Sequence, residues 1–321
     1  MEKESMNGWM SVRKIYLYGL LLFVMLAWGL NIVAIKILID HFPPITITGL
    51  RILAAGIVIF VFLYMKKDLQ KMNLHEFGYV SLSALTGIFG HQALLSIGLV
   101  NTSGTNGASI LALIPLVTNI FAVLFLKAKM TFLKITGVLL GIVGIYLILV
   151  LGGGSFTKLS NGDVFVFLSV IAQALSFIFI RKASYTLNAK TITCYALLMG
   201  AGFLIMLSFA LEGQKIGTMG TLGALPAYVW IIFLASAIVS TGIGNLCYNF
   251  AISKIGAGEA AIFLNLAPFF SLVGSVLFLN ETFKFIQLIG FILIVLGVLL
   301  GTELFVRKPK IDKQVEVSVS K

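Results

Sequence analysis

The chain alternates between long apolar runs and short polar connections. Ten runs reach the about 20 predominantly apolar residues that an α-helix needs to cross a bilayer. The predicted spans are 15–39, 45–65, 77–99, 103–126, 131–150, 163–180, 191–211, 227–250, 256–279 and 284–305. The connections between them are too short for a soluble domain. The pattern therefore predicts an all-α membrane protein of ten transmembrane helices, with the first run kept as an uncleaved helix.

The second half of the chain repeats the first. Residues 101–149 match residues 254–302 at a constant offset, so that Pro115 falls on Pro268. Because each half contains five helices, an odd number, the second half must cross the membrane in the opposite direction. We therefore predict two inverted five-helix repeats, over residues 15–150 and 163–305, an arrangement that secondary transporters use to build a midplane substrate site.

Charge sets the expected orientation. Only 11% of the residues are charged, against roughly 25% in soluble domains. Eighteen of the 23 lysines and arginines fall in the N-terminus, the C-terminus and the connections on the same side, whereas three fall in the connections on the other side. Cytoplasmic segments carry such an excess, so both termini are predicted to be cytoplasmic. The net charge of +11 comes without a basic stripe of interleaved aromatics, and we expect no nucleic-acid partner.

Several short motifs carry a family resemblance over nearly the whole chain. They are Trp28-Gly29-x-Asn31, Arg51 after two prolines, and the related runs TSGTNGASILALIPL (102–116) and KIGAGEAAIFLNLAPF (254–269). The chain resembles the EamA branch of the drug/metabolite transporter superfamily. Members move amino acids, other metabolites or drugs. One position departs from the family pattern: Ala128 stands where an acidic residue often follows the fourth helix, so a matched acidic pair with Glu281 is not expected.

These observations together predict a secondary transporter in the plasma or inner membrane of a prokaryote. It would move small polar metabolites, amino acids or similar, by alternating access, as an exporter without cofactor or metal. The expected partners are the substrate and membrane lipid, with a homodimer through the glycine-rich fifth and tenth helices. The spacings Gly137-x-x-x-Gly141 and Gly297-x-x-x-Gly301 predict close helix packing there. The alternatives are a channel or an intramembrane enzyme. The spans contain neither HExxH nor Gly-x-Ser-x-Gly, which disfavours two common hydrolase sites.

Polar side chains inside spans are the candidates for the substrate path, since they are costly in lipid and usually face protein or a water-filled cavity. Thr241 begins a polar stripe on the eighth helix at positions i, i+4, i+7 and i+8. The predicted substrate-binding residues are Trp28, Asn31, Gln92, Ser96, Asn245, Tyr248 and Asn249. The alternative is that these groups only join helices, through hydrogen bonds worth about 0.6–2 kcal/mol.

A second set has a predicted gating or anchoring role. Arg51 lies about seven residues, or roughly 10 Å, into its helix at 1.5 Å per residue, and it either binds backbone carbonyls or attracts an anionic substrate group. Asn106 and Glu259 occupy equivalent helix starts, where they act as caps or as gates. Pro115 and Pro268 each remove a backbone bond in mid-span and predict matched kinks.

Overall fold

The structure, a computed structural model, describes residues 2–100, 110–111, 113–147, 160–217, 225–279 and 284–301. Within these ranges all regular structure is helical. The α-helices are α1 (Glu2–Ile39), α2 (Pro44–Met65), α3 (Leu74–Ser83), α4 (Gln92–Val100), α5 (Ile114–Leu126), α6 (Phe132–Tyr146), α7 (Asn161–Ala183), α8 (Ala189–Gly217), α9 (Ala227–Ala235), α10 (Gly244–Ile255), α11 (Ala257–Ile262), α12 (Ala267–Leu279) and α13 (Phe285–Gly301). The predicted all-α class is confirmed.

Seven continuous helical stretches in the described ranges are long and apolar enough to cross a membrane. They correspond to the predicted first, second, third, sixth, seventh, eighth and ninth spans. Three shorter apolar helices, α5, α6 and α13, lie within the predicted fourth, fifth and tenth spans and have 13, 15 and 17 residues. Ten crossings and cytoplasmic termini stay predictions.

Helix starts follow local sequence signals. At α3, Asn73 accepts a hydrogen bond from the Glu76 amide at 2.9 Å, and the Glu76 carboxylate accepts one from the Asn73 amide at 2.8 Å. Ser160 and Asp163 form the same reciprocal pair at the start of α7. Each pair satisfies two backbone donors that the first helical turn leaves without partners.

Two predicted spans contain a wider helical turn at equivalent places. A π-helical segment that we call π1 (Ala84–His91) joins α3 to α4, and a second, π2 (Ser236–Ile243), joins α9 to α10. The repeat offset of the sequence superimposes these segments to within one residue. Such segments change which side chains share a face, and they are frequent at functional sites.

The glycine-rich helices α6 and α13 pack against each other within the chain. A Cβ added at Gly137 would lie 2.5 Å from the carbonyl oxygen of Gly297, and one at Gly144 would lie 2.5 Å from that of Gly290. The backbones are therefore as close as glycine allows, which confirms the predicted close packing. These glycines meet their own chain, and the homodimer predicted through the same helices stays a prediction.

Helices α2 and α8 pack along their length and are joined at both ends. At one end, the buried Glu212 carboxylate accepts hydrogen bonds from the backbone amides of Ile45 (3.1 Å) and Thr46 (2.8 Å) and from the Thr46 hydroxyl (2.7 Å). A carboxylate at this position complements the positive end of the α2 dipole. At the other end, Lys190 pairs with Asp68. These contacts fix α2 and α8 as one unit.

The remaining contacts follow the same plan in both halves. Helix α1 packs against α12, α10 and π2, and α7 packs against α5, α4 and π1. These are equivalent neighbours if α1 corresponds to α7. A cluster of buried apolar residues lies among these helices and includes Leu21, Met25, Phe177 and Tyr248.

Candidate functional site

A buried polar cluster joins the first, second and eighth predicted spans. Arg51 on α2 is 3% exposed, and its Nη1 donates to the hydroxyls of Ser236 (3.1 Å) and Thr241 (3.2 Å) on π2. Ser236 in turn donates to Oδ1 of Asn31 on α1, at 2.5 Å. We call Asn31, Arg51, Ser236 and Thr241 the Arg51 cluster. It brings together two residues that the sequence proposed for different roles.

The π-helical turn explains why two hydroxyls reach one guanidinium. Ser236 and Thr241 are five residues apart, and the Thr241 hydroxyl donates back to the Ser236 carbonyl at 2.9 Å. In an α-helix, residues five apart point in different directions, so helical spacing did not identify Ser236. The predicted carbonyl partners of Arg51 are wrong, because its partners in the structure are side-chain hydroxyls. An anionic substrate group at Arg51 stays a prediction.

Next to this cluster lies an aromatic group. The Trp28 indole donates to the Ser240 carbonyl at 2.9 Å, and its ring centroid lies 5.0 Å from that of Tyr248. Tyr248 also contacts Phe177, again at 5.0 Å. Trp28 therefore packs against protein rather than using its N–H at a membrane surface. The Tyr248 side chain is 1% exposed, and its hydroxyl has no hydrogen-bond partner among the residues that the structure describes.

An unpartnered buried hydroxyl is unusual, since about 90% or more of buried polar groups are satisfied by protein or ordered water. The Tyr248 hydroxyl is therefore a group that a bound polar molecule or water could satisfy. It is the member of the predicted polar stripe whose environment most directly suits a ligand.

The other members of the stripe bond to protein. Asn245 donates to the Thr241 carbonyl in the preceding turn, at 2.7 Å. Asn249 is buried and donates to the Thr193 hydroxyl on α8, at 2.8 Å. The Asn249 contact fits the alternative prediction, helix-to-helix hydrogen bonding, whereas the Asn245 contact stays within its own helical stretch. The part of both residues in substrate binding stays a prediction.

Gln92 and Ser96 are the remaining predicted substrate residues, and Asn106 is a predicted helix start. Gln92 and Ser96 are partly buried on α4, which packs against α7. Asn106 lies outside the described residues. His91, within the third predicted span, places its Nδ1 3.0 Å from the Ser169 carbonyl. Since a carbonyl oxygen only accepts, this nitrogen carries the proton.

Both mid-span prolines lie where the helices are interrupted. Pro115 lies in the first turn of α5. Pro268 lies in the first turn of α12, directly after a 3₁₀ segment, Phe263–Leu266. The carbonyl of Leu264, which Pro268 deprives of its usual partner, accepts from the Ala267 amide in this tighter turn. The predicted irregularities are present, and a hinge function for them stays a prediction.

A cavity of about 210 Å³ opens where α5, α7 and α10 end and where α6 and α11 begin. Its wall carries Asn119, Lys129, Lys134, Arg181, Tyr185 and Glu259 among other residues. We call it the basic vestibule. Arg181 donates to the carbonyls of Ile252 (3.1 Å) and Ser253 at the C-terminus of α10. It thereby binds two carbonyls of the last helical turn, of which that of Ile252 also accepts from the Gly256 amide at 2.9 Å.

Glu259 connects this vestibule to the first helix. It lies in the first turn of α11, where an acidic residue is favoured by the helix dipole. Its Oε1 also accepts a hydrogen bond from the Tyr18 hydroxyl on α1, at 2.5 Å. The predicted position at a helix start is present, and a gating role for Glu259 stays a prediction. Tyr18 was not identified from the sequence, since nothing in its own span indicates a partner 241 residues away.

Comparison with known proteins agrees with this architecture. The family model of the EamA-like transporter family matches residues 15–150 and 160–302. The uncharacterized transporter YyaM of Bacillus subtilis (strain 168) is 28% identical over 96% of this chain and 100% of its own length. An uncharacterized transporter of Archaeoglobus fulgidus is 26% identical over 84% of this chain and 93% of its own.

The fold has a solved counterpart. A crystal structure covers 88% of this chain and 95% of its own, with a TM-score of 0.72 at 15% identity, which shows a shared fold. The family match spans most of the sequence, and the described helices include seven of membrane-spanning length. The chain therefore belongs to the EamA-like transporter family and is a multi-pass transporter of the cell membrane.

Proposed function

We propose that this transporter is a secondary carrier that exports small polar metabolites, amino acids or similar, by alternating access. In this proposal ten helices form two inverted repeats, over residues 15–150 and 163–305, with both termini in the cytoplasm. The excess of basic residues in the corresponding connections supports that orientation. The equivalent packing of α1 and α7, and the matched positions of π1 and π2, support the repeat.

The basic vestibule is the observation that carries the proposal. It lies at the end of the molecule that the charge bias assigns to the cytoplasm. Arg51 lies towards the opposite end, since it is seven residues after the start of α2, and it is almost completely buried. A cavity that opens on the cytoplasmic side, with a polar cluster buried towards the opposite side, is the arrangement expected of a carrier that takes up its substrate from the cytoplasm.

The size of the vestibule favours small substrates. Pockets for drug-sized ligands measure roughly 300–1,000 Å³, whereas this cavity measures about 210 Å³. Its wall includes charged and amide side chains, which supports a polar substrate rather than a large apolar drug. A metabolite of modest size fits both properties.

We propose that a substrate passes from the vestibule towards the aromatic group formed by Trp28 and Tyr248. The unpartnered Tyr248 hydroxyl would donate to it. The predicted path includes Asn31, Gln92, Ser96, Asn245 and Asn249. Glu259, Arg51, Asn106, Pro115 and Pro268 would act in gating or anchoring.

The test is transport by the purified protein in liposomes. A metabolite screen that compares deletion and overexpressing cells would first identify the substrate. Tyr248→Phe, which removes only the hydroxyl, should then weaken apparent affinity roughly five- to hundredfold, as expected for a buried partner worth about 1–3 kcal/mol. Thr136→Ala, which removes a hydroxyl on α6 away from this path, is the matched control.

Two results would contradict the proposal. Flux that does not saturate with substrate concentration would indicate a channel. Unchanged kinetics in Tyr248→Phe and in Asn249→Ala would move the substrate path elsewhere. The orientation has its own test: Lys158→Cys should react with an impermeant thiol reagent added to intact cells, and Lys71→Cys should not. Labelling of Lys71→Cys alone would reverse the topology.

A further inference from the structure

We propose that the basic vestibule selects substrates by charge: it favours small organic anions, with carboxylate or phosphate groups, over cations. We further propose that Glu259, positioned by Tyr18, sets the strength of this preference. The inference rests on the proposed carrier function and specifies the charge class of its substrate.

The wall of the vestibule carries more positive than negative charge. Among the described residues of the wall, Lys129, Lys134 and Arg181 are cationic and Glu259 is acidic, so that three basic side chains face one carboxylate. The excess is not simply the general basic character of this end. Lys127 and Lys182 are sequence neighbours of the wall residues Ala128 and Arg181, yet they lie outside the cavity wall.

A cleft enclosed by helices strengthens the effect of such charges. Low-dielectric walls focus the electric field into the opening and raise the local concentration of ions of the opposite sign. Rings of lysine and arginine select anions in membrane pores by the same physics. Lys134 and Arg181 are partly buried, so salt screens them less than it would screen fully exposed side chains.

Glu259 opposes this field from a defined position. The hydrogen bond from Tyr18 to its carboxylate is as short as charge-assisted O–H···O bonds generally are. Tyr18 is itself fixed: it is 8% exposed, and its ring centroid lies 5.2 Å from that of Phe263. Tyr18 is therefore a positioning residue, which acts on the vestibule through the carboxylate that it holds.

The field can be measured without knowing the substrate. In full-length protein with Cys194→Ser and Cys247→Ser, a single cysteine is placed at Ala128, which is exposed and lines the vestibule. Its reaction rates with an anionic reagent (2-sulfonatoethyl methanethiosulfonate) and a cationic one (the trimethylammonium analogue) are compared in detergent. Thr186→Cys, at the same end but outside the cavity wall, gives the reference ratio in a Glu76→Gln background, which removes the carboxylate that bonds Thr186.

We expect the anionic-to-cationic rate ratio to be higher at Ala128→Cys than at Thr186→Cys. Lys129→Gln should lower the ratio and Glu259→Gln should raise it, each about fourfold or more. This follows because one unit charge at about 10 Å in water changes each reagent's rate about twofold, in opposite directions. Lys127→Gln, from the same connection, should change the ratio less than Lys129→Gln.

Tyr18→Phe tests the positioning role. It should change the ratio in the wild-type background and have no effect in the Glu259→Gln background, because its influence passes through that carboxylate. If Tyr18→Phe does not yield folded protein, Tyr18→Leu replaces it, because it also lacks the donor that holds Glu259.

Specific outcomes overturn the inference. They are a faster cationic reaction at Ala128→Cys, a ratio that neither Lys129→Gln nor Glu259→Gln alters, or equal effects of Tyr18→Phe in both backgrounds. Labelling requires no transport, so the two proposals can fail separately. An unaltered ratio in protein that still transports a metabolite would contradict only the charge selection. The expected ratios in protein without any transport would instead contradict the carrier function.

Discussion

Removing the hydroxyl partners of Arg51 should destabilise the protein more than removing Arg51 itself. The guanidinium is 3% exposed and donates to Ser236 and Thr241. The double variant Ser236→Ala/Thr241→Val leaves a buried charge without partners, a change that generally costs about 3–5 kcal/mol. Arg51→Gln removes the charge together with the bonds, and we expect a loss of about 1–3 kcal/mol, the usual range for a buried polar group that loses its partner.

The assay is the thermal stability of each variant in detergent, followed by the fraction of monodisperse protein after heating. Arg51→Gln should also suppress the effect of the double variant, since the charge that needs partners is then absent. Arg51→Lys should lie between wild type and Ser236→Ala/Thr241→Val, because lysine keeps the charge but not the geometry of the guanidinium. Thr136→Val controls for the loss of a hydroxyl elsewhere.

The reasoning fails if the double variant is as stable as wild type, or if its effect adds fully to that of Arg51→Gln. A second result would change the role of Arg51. If Arg51→Gln and Arg51→Lys are both stable and well expressed but lose only anionic substrates, Arg51 binds substrate rather than anchoring helices.

Two further substitutions test the helix pairs. Gly297→Ala should lower stability by about 1–3 kcal/mol, because its Cβ would lie 2.5 Å from the carbonyl oxygen of Gly137. The control is Gly202→Ala, where nothing lies within 4 Å of the added Cβ, and its melting temperature should be unchanged or raised. Equal losses of stability in both variants would contradict the packing. Glu212→Ala should lower stability by about 1–3 kcal/mol, because it leaves backbone amides, including that of Thr46, without an acceptor. Glu212→Gln keeps one acceptor oxygen and should lose less stability. A melting temperature that neither variant alters would show that Glu212 does not stabilise the start of α2.

Much of the fold could be predicted because membrane helices obey local rules. Apolar length located the spans, since lipid demands a satisfied backbone over about 20 residues. Glycines at four-residue spacing predicted that Gly137 and Gly297 would lie at a close helix contact, and the structure places their backbones together. Pro268 predicted an irregular turn, which the structure describes as a 3₁₀ segment.

The site was harder to predict because its geometry depends on exceptions and on distant partners. The polar stripe beginning at Thr241 assumed an α-helical period, whereas π2 brings Thr241 to the same side as Ser236. Glu212 and Tyr18 have partners 166 and 241 residues away. A single sequence carries no signal for such pairs, because they depend on which helices pack together.

The proposed internal repeat has a further consequence, because it would make the two halves equivalent in backbone but not in side chains. At the repeat offset of 153, Ile88 corresponds to Thr241; at the smaller offset that holds earlier in each half, Leu198 corresponds to Arg51. Leu198 and Ile88 pack against a buried apolar cluster, while their counterparts form a charged hydrogen-bonded contact.

Under the proposed alternating access, the two conformations exchange the roles of equivalent contacts. Opening one half would break the contact held by the buried Arg51 guanidinium, whereas opening the other half would break the contact held by the hydrophobic packing of Leu198 and Ile88. Burying or exposing apolar area has a free energy of roughly 25 cal/mol per Å², whereas a guanidinium without partners is penalised by several kcal/mol. The two conformations then differ in free energy although their backbones are related by symmetry. Substitutions at Arg51 should therefore shift the population of conformations in one direction, an effect that substitutions at Leu198 should not reproduce.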